Sequence, residues 1–295
     1  MEKVLTICIP TYNRATKLDE CLTRIFSLKK CEEVEVIISD NASGDNTKEV
    51  AEKWMKKHNN VSYQRHEKNM GPDVNFDSVL HAVKTKYALL LGDDDLLPEG
   101  FLEYYIPELI GKDYSFVKVG HYEELKRKKV YQRNEVDNYL LDIGIFCTFM
   151  STMVFNTEIL SKIKDCKEYH GSSLYQTKLM FECITTSDLP MLLDETYTII
   201  TGPNDHVNYS ISHVFIYQLN RIIKSCDFKY CTRRKMIRGS IKFYNGWVKH
   251  YKRQGYKLQL HFSDLLIIMS YIYGWFTTIP LLLIPTFLVK RRNKK

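Results

Sequence analysis

The sequence of 295 residues contains eight cysteines but no Cys-x-x-Cys pair, and the cysteine spacing matches no metal-ligand pattern. Several cysteines fall inside apolar periodic segments, so we expect buried thiols in a protein of the reducing cytosol. We also predict no signal peptide, because the apolar stretch Val4–Pro10 is too short and polar residues follow it at once. With 44% hydrophobic and 26% charged residues, the chain has the composition of a globular protein of one large domain or two.

Acidic residues are scarce in the last part of the chain. Residues 206–295 contain 17 Lys and Arg but only two acids, Asp227 and Asp264. Residues 1–205 contain 25 basic and 33 acidic residues, so a mildly acidic front precedes a strongly basic tail. This asymmetry predicts that the tail meets an anionic lipid surface or another polyanion.

The most informative stretch is Tyr87–Leu97, which reads YALLLGDDDLL. Its apolar run predicts a strand buried on both faces of a sheet. Asp93, Asp94 and Asp95 follow directly, and their mutual repulsion opposes compact folding, which is typical of a functional site. A divalent cation such as Mg²⁺ or Mn²⁺ would relieve the repulsion. The alternative is a solvated acidic turn, since turns favour Asp.

Strand-like and helix-like patterns alternate over the first 91 residues. The predicted strands are Val4–Ile9, Val34–Ser39, Val61–Arg65 and Tyr87–Leu91, and the predicted helices are 15–28, Thr47–Lys57 and Asp73–Val83. This alternation predicts an α/β fold with a parallel, doubly wound sheet and right-handed crossovers. Another strand is expected at Ser115–Gly120.

Polar clusters follow several of these strands, at Thr11–Arg14, Asp40–Asp45 and Asp93–Asp95. Parallel sheets bind ligands beyond the carboxyl ends of their strands, so one crevice is expected to hold all three clusters. Carboxylates suit a base or ribose hydroxyls, and an arginine with a metal suits phosphates. The sequence therefore predicts a nucleotide site.

The polar blocks and their spacing resemble the GT-A fold family 2 glycosyltransferases, which build bacterial surface polysaccharides. The blocks are PTYNR at 10–14, SDNASGDNT at 39–47, Asn69-Met70-Gly71 with Asn75, and DDD at 93–95. They match in order over roughly residues 4–110. Each block read alone is also consistent with an ordinary turn or strand end. The resemblance implies a GT-A (Rossmann-like), mostly parallel sheet flanked by helices.

The resemblance also implies a nucleotide-diphosphate sugar donor and a metal-dependent, inverting transfer. Asp40 would read the base, and the other residues expected to bind the donor are Pro10, Thr11, Tyr12, Arg14, Asn69, Gly71, Asp93 and Asp94. The metal, Mn²⁺ or Mg²⁺, is expected on Asp94, with Asp93 toward the ribose or the metal and Asp95 as the third ligand. Asp93-x-Asp95 also reads as the family's D-x-D motif. The sequence departs from the family at Gly92, where many members have an acid.

In-line transfer also needs a base that takes the proton from the acceptor hydroxyl. In the family this base usually lies on an acidic pair that opens a helix. Here the corresponding helix is expected to open near Ser172–Ser173, and no Glu-Asp pair stands there. His170, Glu182 and Asp188 are the candidates, of which only one is expected to act.

The stretches between these blocks carry weaker signals. Phe146–Asn156 is apolar with small residues, which indicates a core strand or, alternatively, the floor of the acceptor site. Lys126–Arg133 is expected to be a charged turn. The segment His206–Ser210 follows Gly202-Pro203-Asn204 and is a candidate lid over the donor.

The tail contains 25 consecutive uncharged residues, Leu265–Val289, between the basic segments 249–257 and 290–295. That length is enough to cross a bilayer. However, Gly274, Pro280 and Pro285 interrupt it, and one crossing would put the last basic cluster outside, against the positive-inside rule. We therefore predict a re-entrant or in-plane segment on the cytoplasmic side of the cell membrane. A single span and a buried core helix are the alternatives.

These signals predict three regions: a catalytic domain at 1–205, a basic helical extension at 206–262 and a hydrophobic, membrane-associating segment at 263–295. Within the catalytic domain, the nucleotide-binding half covers about 1–112 and the acceptor half about 113–205. The expected partners are the donor, a glycan or lipid-linked acceptor and the membrane surface, with no nucleic acid. Two other classes stay open, a nucleotidyltransferase and a non-catalytic nucleotide-sugar-binding protein. A nucleotidyltransferase would be expected to have a glycine-rich loop after the first strand, and Pro10–Arg14 has no glycine.

Overall fold

The computed structural model describes residues 3–120, 126–164, 166–201 and 211–253. In these residues, eight strands form a single sheet in the order β3-β2-β1-β4-β7-β5-β8-β6. The strands are β1 (Leu5–Thr11), β2 (Val34–Asp40), β3 (Val61–Arg65), β4 (Tyr87–Leu90), β5 (Phe116–Gly120), β6 (Lys128–Tyr131), β7 (Met153–Asn156) and β8 (Met191–Thr198). The candidate lid and the uncharged segment 265–289 lie outside the described residues.

The first half of the sheet follows the predicted alternation. Helices α1 (Ala15–Ser27), α2 (Thr47–Lys57) and α3 (Pro72–His81) connect β1 to β4, and these four strands pair in parallel. Helix α1 buries Leu18, Cys21, Leu22 and Ile25 on one face, as the apolar periodicity predicts. All four residues of β4 are buried, which is expected of a central strand that is covered on both faces.

The second half of the sheet is mixed. Strand β7 is antiparallel to its neighbours β4 and β5, β8 is parallel to β5, and β6 is antiparallel to β8. Six of the eight described strands therefore run in one direction. The predicted charged turn at Lys126–Arg133 is wrong, because it contains β6. This edge strand exposes Lys128, Lys129 and Val130 and buries only Tyr131, so it lacks an apolar run.

Helices cover both faces of the sheet. The remaining helices are α4 (Phe101–Gly111), α5 (Val136–Ile143), α6 (Thr157–Leu160), α7 (Tyr175–Thr186), α8 (Leu219–Ser225) and α9 (Tyr230–Arg253). One apolar cluster joins β1, α1 and α4, and a second joins α5, α7, α8 and α9. Residues of α8 and α9 thus pack in the same apolar cluster as α5 and α7. None of the described helices is both long and apolar enough to span a membrane.

The stretch Phe146–Asn156, expected to be a core strand, is a strand only at its end. Two short 3₁₀ turns, Gly144–Thr148 and Met150–Thr152, precede β7. The cysteines agree better with expectation: all eight are free thiols, six of them are buried, and Cys31 and Cys231 are more accessible.

Candidate functional site

The carboxyl ends of β1, β2 and β4 lie side by side and bring three polar loops together. The backbone N–H of Asn41 donates to the carbonyl of Thr11 (3.0 Å), and the N–H of Leu91 donates to the carbonyl of Cys8 (2.9 Å). Pro10 is buried in β1, opposite Ser39 of β2. The loops that follow these strands therefore lie together at one end of the sheet, where α/β sheets bind ligands.

Thr11 and Arg14 contact the acidic loop, which we define as Gly92–Asp95. The Thr11 hydroxyl donates to Oδ2 of Asp93 (2.7 Å). One guanidinium nitrogen of Arg14, Nη1, lies 3.0 Å from Oδ1 of Asp93 and 2.8 Å from Oδ2 of Asp94. A single cation thus bridges two carboxylates that come from another strand, 79 and 80 residues away. This bridge offsets part of the repulsion between the acids.

The three acids differ in their surroundings. Asp93 is 5% exposed, and burial raises its pKa to about 6, although the hydrogen bond from Thr11 and the charge of Arg14 act in the opposite direction. The side chain of Asp94 is one-third exposed. Asp95 is buried, and its carboxylate accepts a short hydrogen bond from the hydroxyl of Ser151.

How Asp93, Asp94 and Asp95 would share a metal ion stays a prediction. The described residues contain no group of three His, Cys, Asp or Glu side chains that could hold a metal. In this arrangement the carboxylate of Asp95 accepts from Ser151, whereas those of Asp93 and Asp94 contact Arg14.

Asp40 organises the neighbouring loop. Its side chain is fully buried and accepts hydrogen bonds from the Ser43 N–H (2.8 Å), the Tyr63 hydroxyl (2.7 Å) and Nη1 of Arg65 (3.1 Å). The three donors satisfy both carboxylate oxygens, so the buried charge is well compensated. Tyr63 and Arg65 are at alternate positions of β3, a signal that the sequence reading missed.

Asparagines connect the remaining loops at this edge. The Asn41 side chain donates to Oδ1 of Asn69 (3.0 Å) and accepts from the Met70 N–H (2.8 Å), and the Gly71 N–H donates to the same Asn69 oxygen (2.9 Å). Gly71 has a φ of +83°, a conformation that glycine adopts without strain. Asn69 is exposed, as is Tyr12, whose exposed fraction is 43%. These two side chains are accessible from solvent at this end of the sheet.

The candidate bases occupy different places. Nε2 of His170 lies 3.4 Å from Oδ2 of Asp77, and the ring meets that of Tyr175 edge-on. Glu182 lies two turns into α7 and forms an ion pair with Lys178 (2.6 Å). Asp188 is exposed and lies between α7 and β8. Since β8 runs in the same direction as β4, Asp188 is at the opposite edge of the sheet from the acidic loop.

A carboxylate does meet the start of α7, but it comes from α3. Asp73 accepts hydrogen bonds from the Ser173 N–H (2.8 Å), the Tyr175 N–H (3.4 Å) and the Ser172 hydroxyl (3.4 Å). It is buried, and burial raises its pKa. Asp73 thus provides the negative charge that helix N-termini favour, in a segment that has no acid of its own.

This chain is similar to known proteins in sequence and in fold. Residues 6–173 match the family model described as glycosyl transferase family 2. The chain is 28% identical over 225 residues to the abequosyltransferase RfbV of Salmonella typhimurium, covering 68% of each chain. It is 29% identical over 99 residues to the GalNAc(5)-diNAcBac-PP-undecaprenol beta-1,3-glucosyltransferase of Campylobacter jejuni, covering 33% of this chain and 32% of that one.

Two solved structures share the fold. One is S. aureus TarS 1–349 in complex with UDP-GlcNAc, with a TM-score of 0.59 and 16% identity, covering 91% of this chain and 79% of that one. The other is the mannosyltransferase PcManGT of Pyrobaculum calidifontis in complex with GDP-Man and Mn²⁺. Its TM-score is 0.60 and its identity is 15%, and the match covers 96% of this chain and 79% of that one.

Proposed function

Because this chain belongs to glycosyl transferase family 2, we propose that it moves a sugar from a nucleoside-diphosphate sugar to a hydroxyl of a glycan or lipid-linked acceptor. The process served is the synthesis of a cell-surface polysaccharide, as the relatives' names suggest. The observation that carries the proposal is the bridge from Arg14 to Asp93 and Asp94 at the carboxyl edge of the sheet. It joins the two charge types that a sugar nucleotide needs, at the place where α/β sheets bind nucleotides.

The donor is assigned to the crevice between the three loops. Asp40 and the Asn41–Asn69 pair shape the wall on which the base would lie, and Tyr12 offers an exposed ring to stack on it. Pro10, Thr11 and Gly71 bring backbone close to the donor. Arg14, which is almost half exposed, is placed to turn from the acids to the diphosphate when the donor binds.

A divalent metal fits Asp93 and Asp94. Their oxygens already bracket one cationic nitrogen at 3.0 Å and 2.8 Å, so two carboxylates are available to a cation at this point. Mg²⁺ and Mn²⁺ are commonly held by one or two carboxylates, with substrate phosphates and water as the other ligands. When bound, the metal would act as a Lewis acid that neutralises the departing diphosphate.

His170 is the base that we propose. Its Nε2 lies 3.4 Å from the carboxylate of Asp77, whose negative charge would stabilise the imidazolium that forms when the ring takes a proton. In an inverting displacement, the imidazole would take the proton of the acceptor hydroxyl while the sugar is transferred. Glu182 is committed to Lys178, and Asp188 lies at the wrong edge.

His170→Gln is expected to lower kcat by at least about 100-fold, because general bases contribute 10²–10⁴-fold. Asp188→Asn is the matched control and is expected to stay within about twofold of the wild type. Glu182→Gln is expected to lower the melting temperature but not kcat. The measurement is sugar transfer under donor saturation, with nucleotide affinity as the check on folding. Transfer that survives all three substitutions would show that the base lies elsewhere.

The acceptor is proposed to sit at the cytoplasmic surface of the cell membrane. Helix α9 buries Met236, Ile237, Ser240 and Tyr244 and exposes Arg234, Lys235, Arg238 and Lys242. Tyr230–Arg253 contains no acidic residue, so all the charges on the exposed face are positive. Such a face is suited to anionic headgroups, and each Lys or Arg near the surface contributes about 1 kcal/mol. The uncharged segment at 265–289, which lies outside the described residues, is proposed as an additional apolar anchor.

The double substitution Arg234→Glu/Arg238→Glu is expected to weaken binding to phosphatidylglycerol vesicles at least about tenfold, since two attractive charges become repulsive. Co-sedimentation of the full chain measures it. The control, Lys56→Glu/Lys84→Glu, makes the same change in net charge at exposed positions away from α9. Equal loss in both variants would mean that net charge, and not the α9 face, sets the affinity.

The experiment that tests the function is turnover of a panel of nucleoside-diphosphate sugars, with and without Mn²⁺. We expect one donor to be consumed, and consumption to depend on the metal. Binding without turnover of any donor, in the presence of candidate acceptors, would instead identify a nucleotide-sugar-binding protein. Release of pyrophosphate from a nucleoside triphosphate and a sugar phosphate would identify a nucleotidyltransferase.

A further inference from the structure

Ser151, a residue of the predicted acceptor half, contacts the acidic loop through two hydrogen bonds. The hydroxyl of Ser151 accepts a hydrogen bond from the Gly92 N–H (2.9 Å) and donates one to the carboxylate of Asp95. Ser151 is completely buried and Asp95 is 7% exposed. Both contacts are formed away from water, where a hydrogen bond to a charged group contributes most. Ser151 therefore contacts both the first and the last residue of the acidic loop.

Gly92 shows how closely the loop packs against this hydroxyl. A Cβ atom at Gly92 would lie 2.9 Å from Oδ2 of Asp95, 3.2 Å from Oδ1 of Asp94 and 3.3 Å from Oγ of Ser151. An acidic side chain, which many family members have at this position, would therefore displace either the neighbouring carboxylates or Ser151. The missing side chain of Gly92 therefore leaves room for the Ser151 hydroxyl and for the carboxylates of Asp94 and Asp95.

The segment 147–149, just before Ser151, is itself held by side chains. The carbonyl of Cys147 accepts from the Thr177 hydroxyl (3.0 Å), that of Thr148 from the Gln176 amide (3.1 Å), and that of Phe149 from Nζ of Lys118 (3.2 Å). Two of these donors belong to α7, and the third belongs to β5. The irregular segment is thus tied to regular elements of the acceptor half.

We propose that Ser151 is a positioning residue for sugar transfer: it fixes the acidic loop so that Asp93 and Asp94 face Arg14 and the donor diphosphate. Its hydroxyl touches neither of these two carboxylates, so it acts through Gly92 and Asp95. The inference rests on the proposed function, because it assigns a purpose to the geometry of the donor site. It also links the start of α7 to the acids through about four residues of irregular chain.

Ser151→Ala is expected to lower kcat/KM about 10-fold to 100-fold, the range that follows from losing a hydrogen bond to a charged partner. Metal-dependent affinity for the nucleoside diphosphate of the preferred donor is expected to fall with it. Thr152→Val is the matched control. Thr152 is as deeply buried as Ser151, and its hydroxyl donates to the Phe149 carbonyl (2.9 Å) and not to the acidic loop in the described part of the chain. This variant is expected to stay within about twofold. A purely structural role would lower the melting temperatures of both variants but leave both affinities intact.

Gly92→Ala gives a second test that does not depend on how Ser151→Ala folds. Alone, it is expected to reduce nucleotide affinity, because the new methyl group would lie 2.9 Å from the Asp95 oxygen that Ser151 holds. Combined with Ser151→Ala, its further effect should be smaller, because Asp95 no longer accepts the Ser151 hydrogen bond and can yield to the methyl group. Additive effects, or a Ser151→Ala protein with wild-type affinity, would overturn the inference. A wild-type protein that binds no nucleoside diphosphate would instead refute the proposed function.

Discussion

Asp93→Asn is expected to lower sugar transfer by roughly 10³-fold while making the folded protein more stable at neutral pH. The loss of activity follows from removing one of the two carboxylates at the proposed cation site, a type of electrostatic stabilisation that contributes about 10²–10³-fold. The gain in stability follows from burial. Asp93 is 5% exposed, so the folded protein keeps a charged group away from water.

The sign follows from the two pKa values of Asp93. Burial raises the folded-state pKa to about 6, above the ordinary value of 3.8. Between pH 3.8 and 6 the folded state binds more protons than the unfolded state, so stability falls as pH rises through this window. The two pKa values differ by about two pH units, each of which corresponds to about 1.4 kcal/mol. The free energy of unfolding is therefore lower by roughly 3 kcal/mol above pH 6. Asn carries no charge and avoids this penalty.

Chemical unfolding of the metal-free protein from pH 4 to pH 8 measures the effect. The stability difference between Asp93→Asn and wild type should be largest above pH 6 and should vanish toward pH 4. Asp94→Asn is the matched control: its carboxylate is one-third exposed, so it should lose activity without gaining stability. A pH-independent difference for Asp93→Asn would contradict the prediction.

Lys118→Met is expected to stabilise the protein at pH 7 and below by several kcal/mol. Lys118 is 2% exposed, and burial lowers its pKa to about 7 from 10.5, against the opposing influence of Cys147 and Glu195. Between pH 7 and 10.5 the unfolded state binds more protons, so wild-type stability rises with pH there. The difference of 3.5 pH units between the two pKa values corresponds to a gain of about 5 kcal/mol in the free energy of unfolding of Lys118→Met. The lost hydrogen bond to the Phe149 carbonyl reduces this gain by about 1 kcal/mol.

Unfolding by urea at pH 6, 7, 8 and 9.5 tests this prediction. The advantage of Lys118→Met should shrink steadily as the pH rises above 7. Lys84→Met removes an exposed lysine and should show no such trend. If both variants follow the wild-type curve in parallel, Lys118 is charged without penalty in the folded protein, and the argument from burial is wrong.

The sequence was most informative where the structure depends on local pattern. Helix α2 and strand β3 have the predicted bounds, and α1 has the predicted buried face, because apolar periodicity reports directly on which side of an element is covered. The gathering of the polar loops also followed from the sequence, since parallel strands put their carboxyl ends at the same end of the sheet. Family membership came from four short blocks that lie on those ends.

The missed features all depend on distant partners. Strand β6 has too few apolar residues to be recognised without β8, and Ser151 lies in a turn that looked like part of a strand. Ser151 and Asp95 are 56 residues apart, and Asp73 and Ser173 are 100 residues apart. Nothing in either local segment indicates the other.

The amino acid order alone therefore determined the alternating elements, the edge at which the polar loops gather and the chemistry of their side chains. Tertiary structure decided which acid faces which partner: Asp93 and Asp94 meet Arg14, whereas Asp95 meets Ser151. The reason is that the three adjacent aspartates have identical side chains, so only the directions in which their carboxylates point distinguish them. That direction is set by the turn at Gly92 and by the side chains packed around it from the other half of the fold.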